Sequence, residues 1–130
     1  MFEHTFVMSS FSVKNIDEAK KFYGDTLGLR TTSGEMGTLM LHPEGGGQIM
    51  VYPKDDHRAA TYTILNFMVD DIDEAVDELA GKDVEFKHYG EGFFQDEKGI
   101  ARGKEHNMGP DIAWFEDPSG NVLAVIENDK

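Results

Sequence analysis

The stretch Val13-Lys14-Asn15-Ile16-Asp17-Glu18-Ala19 returns in the second half of the chain as Val69-Asp70-Asp71-Ile72-Asp73-Glu74-Ala75, with Ile-Asp-Glu-Ala identical. Phe11 and Phe67 precede the two copies at the same distance. Both copies read as the same strand-to-helix junction, which is what a duplicated supersecondary unit requires. Asn15 and Asp71 are good N-cap residues, and Glu18 and Glu74 follow three places on, as in a capping box. Downstream, Ile16, Ala19, Tyr23 and Leu27, and then Ile72, Ala75, Val76 and Leu79, recur at helical spacing. Helices near 16–27 and 72–80 follow, each with one buried face. Gly28 and Gly81 are expected to supply the left-handed residue that ends them.

Working outward, each helix is flanked by short apolar runs rich in β-branched and aromatic residues. Thr5 to Val13 and Tyr62 to Val69 read as first strands. After the first helix come Leu29–Thr32, Thr38–Leu41 and Gln48–Tyr52, with Gly45-Gly46-Gly47 in a hairpin turn. After the second come Val84–His88, Ile112–Phe115 and Val122–Ile126, with Asp117-Pro118-Ser119-Gly120 as a turn. The fold expected is α+β: two tandem β-α-β-β-β modules, about 1–55 and 60–130, in a single domain over residues 1–130. The modules differ in one insertion of about twenty residues from Tyr89 to Pro110, and loops that long are often functional. It reads either as an extension packed on its own core or on a second subunit, or as a lid carrying Phe93, Phe94 and His106.

The chain has 130 residues, 39% of them hydrophobic and 28% charged, within the range of one globular domain. Its formal net charge of -13 repels phosphate backbones and anionic headgroups, so nucleic acid and membrane surfaces are not expected partners. The absence of cysteine excludes disulfides, thiolate catalysis and cysteine-ligated metals. No apolar run is long enough to span a membrane, and Met1-Phe2-Glu3-His4 lacks the start of a signal peptide, so a cytoplasmic protein is expected.

The duplicated Val-x-[Asn/Asp]-Ile-Asp-Glu-Ala junction, Phe22-Tyr23 and Leu27-Gly28 in the first helix, and the final Asp-Pro-Ser-Gly-Asn turn resemble the vicinal-oxygen-chelate superfamily. This superfamily includes glyoxalases, bleomycin-resistance proteins and extradiol dioxygenases. The resemblance covers nearly the whole chain. It implies a curved mixed sheet around a cavity, with the helices on the convex side. Metal-dependent members hold a divalent ion there, and relatives without metal bind drugs or other small molecules.

Carried over by position, the metal ligands of that family fall on Met8, Ile64 and Ala124, with Gln48, Ile49 or Met50 as the fourth. Hard divalent ions need three or four converging nitrogen or oxygen donors. No metal and no cofactor is therefore expected. The histidines His4, His42, His57, His88 and His106 lie at strand ends and in loops rather than clustered on one strand face.

Side chains alternate along strands, and in the family register Met8, Ser10 and Ser12 share the cavity face. Ile64, Asn66 and Met68, and Ala124 and Ile126, face it from the second module. Such a cavity is mostly apolar with a few hydrogen-bonding points, the general make-up of small-molecule sites. Trp114 and Tyr52 are either wall residues or core aromatics. General acid-base chemistry by Glu91, Glu105, Glu116 or His106 has no motif behind it, and no catalytic residue is assigned.

The reading is a metal-independent small-molecule-binding protein that sequesters or detoxifies an aromatic or amphipathic compound. The alternative is a metal-dependent lyase, isomerase or dioxygenase with non-standard ligands. A third possibility is an interaction protein whose insertion serves an oligomer. A homodimer is expected by family analogy and from the apolar residues of the insertion.

Overall fold

A computed structural model of the protein describes residues 1–129, and the side chain of Glu91 lies outside the described residues. The fold is mixed α+β with two small mixed sheets and few helices. The chain divides into two compact units, Met1–Arg58 and the unit beginning at Ala59.

In the first unit, β1 (Ser9–Val13) leads into α1 (Ile16–Lys20), whose N-cap Asn15 accepts a hydrogen bond from the Glu18 amide at 3.0 Å. The helix continues as a π-helical turn over Lys21–Thr26. Gly28 then takes a φ of 73°, the left-handed conformation that glycine adopts without a Cβ penalty. β2 (Arg30–Ser33), β3 (Leu39–His42) and β4 (Ile49–Pro53) complete a sheet of order β1-β4-β3-β2. β1 and β4 are parallel, and the other pairs antiparallel. Val13, Leu39, Leu41 and Val51 are buried with Ala19 and Tyr23 of the helix, so one face of the sheet is the unit's core.

The second unit repeats the plan. β5 (Thr63–Val69) leads into α2 (Ile72–Ala80), and the N-cap Asp71 accepts from the Glu74 amide at 3.0 Å, as Asn15 does from Glu18. β6 (Ile112–Glu116) and β7 (Val122–Glu127) join β5 in the order β5-β7-β6, with β5 and β7 again parallel. Ile72 and Val76 of α2 are buried with Ala113, Phe115, Leu123 and Val125. The tight turn before β7 is built on the buried Asp117. Its carboxylate accepts from the Ser119 and Asn121 amides and from Asn121 Nδ2, each at 2.9 Å.

Two expectations need correction. Val84–His88 is not a strand of the second sheet: only Phe86 bridges Phe115, the one point where the expected fourth strand survives. Gly81 is not left-handed either, with φ at -65°. The last carbonyls of α2 are satisfied by the Lys82 and Asp83 amides, which prolong the turn, and the reversal falls on Asp83 at φ 67°. Asp tolerates this conformation better than most residues.

The insertion is largely ordered against its own unit. Gln95 bridges Ala101, Ala101 bridges Ile112, and Ile100 and Ala101 are buried. Gln95 holds the start of this arm, its Nε2 donating to the Lys87 and Gly99 carbonyls at 2.8 Å while its Oε1 accepts from the Tyr89 amide.

Candidate functional site

Each sheet has one face opposite its helix, and the strand registers show which residues share it. In the second unit Asn66, Ala124 and Trp114 are register partners across β5, β7 and β6, and Met68, Ile126 and Ile112 form the next row. Four residues expected on one face (Asn66, Met68, Ala124 and Ile126) therefore stand as neighbours, and Trp114, read as either wall or core, joins them. Ile64 is different: the register shifts between Thr63 and Leu65, and Ile64, half-buried, has no partner on β7. A bulge there breaks the alternation on which its placement rested.

Trp114 anchors an aromatic group that the sequence did not bring together. Tyr89 packs against it at 5.3 Å between ring centroids and Phe93 at 5.8 Å, both edge-on, and Tyr89 and Phe93 touch each other at 5.4 Å. Edge-to-face contacts suit the ring quadrupoles. Tyr89 and Phe93 remain partly exposed, so the cluster offers ring surface to solvent. Lys87 lies near the Tyr89 ring and is paired with Glu116, which raises its pKa.

The remaining insertion residues form a second group. Phe94 stacks on His106 at 4.0 Å with the rings 16° apart, and His106 Nδ1 donates to the Arg102 carbonyl. Phe94, at φ 52°, lines an open cleft of about 340 Å³ with His88, Gly90 and Gln95. Arg102 forks onto Asp73 of α2 at 2.8 and 3.2 Å and also reaches Asp96 at 2.9 Å. Lys98 joins Asp73 and Asp77. The hydrogen bond from Arg102 holds the Asp73 carboxyl below the usual range, and Arg102 is itself held firmly protonated.

In the first unit, Thr32, Met40, Met50 and Ser10 form a row across β2, β3, β4 and β1. Ser12, beside Tyr52 in the register, lies 2.6 Å from Nδ1 of the buried His57. Met8 precedes the start of β1 and is 42% exposed, so it lies outside the strand that was to position it.

The residues on which the resemblance places the divalent-metal ligands do not fit such an ion. Ile64 and Ala124 donate nothing, Met8 is a thioether, and Ala124 is fully buried. Among the described residues no group of three or more His, Asp or Glu side chains is placed to hold a metal ion.

The profile of the glyoxalase/bleomycin resistance protein/dioxygenase superfamily matches residues 3–125. The chain belongs to that superfamily. Several solved structures share the fold. A superfamily member from Sphaerobacter thermophilus aligns with a TM-score of 0.67 at 23% identity, over 95% of this chain and 98% of its own. A lactoylglutathione lyase from Agrobacterium tumefaciens gives 0.66 at 18% identity, over 96% and 94%. An antibiotic-binding protein from a Streptomyces species gives 0.63 at 20% identity, over 97% and 98%. These likenesses establish the glyoxalase-type fold alone. No curated protein matches the sequence.

Proposed function

We propose that this glyoxalase-superfamily chain binds a small aromatic or amphipathic molecule without a divalent metal, sequestering or detoxifying it. The observation that carries the reading is the row Asn66–Ala124–Trp114. A methyl group stands where the family resemblance places a metal donor, flanked by an indole and an amide. Apolar surface with a few polar points is the make-up of small-molecule sites, and Tyr89 and Phe93 extend the ring surface beside Trp114. The structural likeness to an antibiotic-binding protein supports a binding role.

In this reading Met8, Ser10, Ser12, Ile64, Asn66, Met68, Trp114, Ala124 and Ile126 contribute to the ligand site, and Phe93, Phe94 and His106 to its lid. The chain acts as a cytoplasmic homodimer. A cysteine-free domain needs no oxidising compartment to fold, and Phe93 and Phe94, 47% and 40% exposed, are surfaces a second copy would cover. No helix among the described residues is long and apolar enough to cross a membrane.

The test combines elemental analysis of natively purified protein with titration of a panel of aromatic drugs, read by fluorescence of the single tryptophan. Saturable quenching in metal-free protein is expected. One tightly held divalent ion per chain, lost on chelation together with an activity, would overturn the proposal and establish a metal-dependent lyase, isomerase or dioxygenase.

A further inference from the structure

The open face of the four-stranded sheet gathers soft donors that the proposed function does not use. The chain has seven methionines and no cysteine, so thioethers are its only sulfur. Met40 and Met50 are direct register partners on the antiparallel strands β3 and β4. Such partners have Cα atoms about 4.5–5.5 Å apart and side chains on the same face. Their unbranched, adaptable side chains can therefore bring both sulfurs onto one ion. His42 follows Met40 by two residues on β3, which places it on the same face. All three side chains are half-buried rather than sealed in the core.

His42 is also oriented by a neighbour. Its Nε2 lies 2.7 Å from Thr32 Oγ1. With Nε2–H donating to the hydroxyl, the lone pair sits on Nδ1. Metal-binding histidines are commonly held this way, the second ring nitrogen donating to an oxygen that fixes tautomer and orientation. The face carries no carboxylate in these rows: the neighbours in register are Thr32, Ser10 and Arg30, the last exposed to solvent. Two thioethers and an imidazole form a donor set that favours soft ions over zinc, manganese or magnesium. The net charge of -13 raises the local concentration of any cation.

The geometry points to a binding site for a soft monovalent cation, Cu(I) or Ag(I), held by Met40, Met50 and His42, with Thr32 as a positioning residue. The inference stands whether or not the Trp114 surface binds a ligand.

Ag(I) is the probe, because it needs no reductant. In protein carrying 13C-methyl methionine, titration should move the Met40 and Met50 methyl signals together, saturating at one ion per chain while the other methionines stay in place. Met40→Leu and Met50→Leu keep the volume nearly constant and so should fold. Each should lower affinity by about tenfold or more, as should Thr32→Val, which loses only the hydroxyl that orients His42. Met36→Leu, on an exposed turn, should change nothing. The inference is overturned if the exposed Met1, Met36 and Met108 respond first, if the leucine variants bind Ag(I) like the parent, or if Zn(II) shifts the same two methyl signals equally.

Discussion

Replacing Arg102 with Met should loosen the insertion from the second unit while leaving the chain folded. The guanidinium is about one-fifth exposed and serves three carboxylates: Asp73 by two hydrogen bonds, Asp96 at 2.9 Å and Asp111 at 3.5 Å. Asp73 is nearly half exposed, so its pair is screened and contributes no more than about 1 kcal/mol. Asp96 is less exposed, and a hydrogen bond to a charged group there is worth about 1.5 kcal/mol. Asp111 keeps its bond from the Lys104 amide and adds little. The methionine stem retains most of the aliphatic packing. The expected loss at pH 7 is therefore about 2 kcal/mol, read as a lower urea midpoint at unchanged slope. Amide exchange should accelerate most around Asp96–Arg102, where the Asp96 and Ile100 backbones pair.

The sign of the pH dependence follows from Asp73. Its folded pKa lies below the ordinary 3.8, so its contribution is present above that value and is lost as pH falls through the folded pKa. The part of the gap between wild type and Arg102→Met that Asp73 carries should thus shrink as pH falls below 3.8 and through the lower folded pKa. Arg102 itself titrates too high to matter in this window. A gap that does not narrow as pH falls below 3.8, or an Arg102→Met protein as stable as wild type at pH 7, would refute the account of how the insertion is held.

Asn15→Ala and Asp71→Ala should each cost about 1 kcal/mol, since each removes the side-chain acceptor of a first-turn amide, and urea midpoints of the single and double variants check this. Asp117→Ala should cost about 3 kcal/mol, because three buried donors lose one carboxylate. Asp117→Asn, which keeps one acceptor oxygen, should fall between it and the parent in thermal unfolding. Tyr89→Ala and Phe93→Ala should each weaken aromatic-ligand binding by about tenfold, equivalent to about 1.4 kcal/mol, if those rings extend the Trp114 surface. Titrations followed by tryptophan emission would show it.

The duplicated junctions, both helices and six of the seven strands were legible in the sequence to within a few residues, because their causes are local. A cap reaches three residues, a helical stripe repeats within two turns, and strand alternation needs only neighbours. The shared face of Asn66, Met68, Ala124 and Ile126 was also legible once the family register was assumed, and the observed pairing puts Asn66 beside Ala124 and Met68 beside Ile126. The seventh strand followed the same local cues slightly out of place, with β1 beginning at Ser9 and leaving Met8 outside it.

What escaped depends on partners far apart in the chain. Val84–His88 has a strand's composition, but only Phe86 finds a partner on β6, and a ladder needs continuous pairing as well as propensity. The bulge at Ile64 changes which residue meets which without leaving a mark in the alternation of types. Arg102 and Asp73 lie 29 positions apart, and nothing local says that they meet. Tyr89, Phe93 and Trp114, like Met40, Met50 and His42, become neighbours only when backbone register and chain reversal bring them onto one surface. The sequence by itself determined both helices, most of the strands and their order, because those depend on residue type and short spacing. Tertiary structure alone decided the aromatic cluster, the anchored insertion and the thioether face, because side-chain proximity across strands is set by long-range pairing.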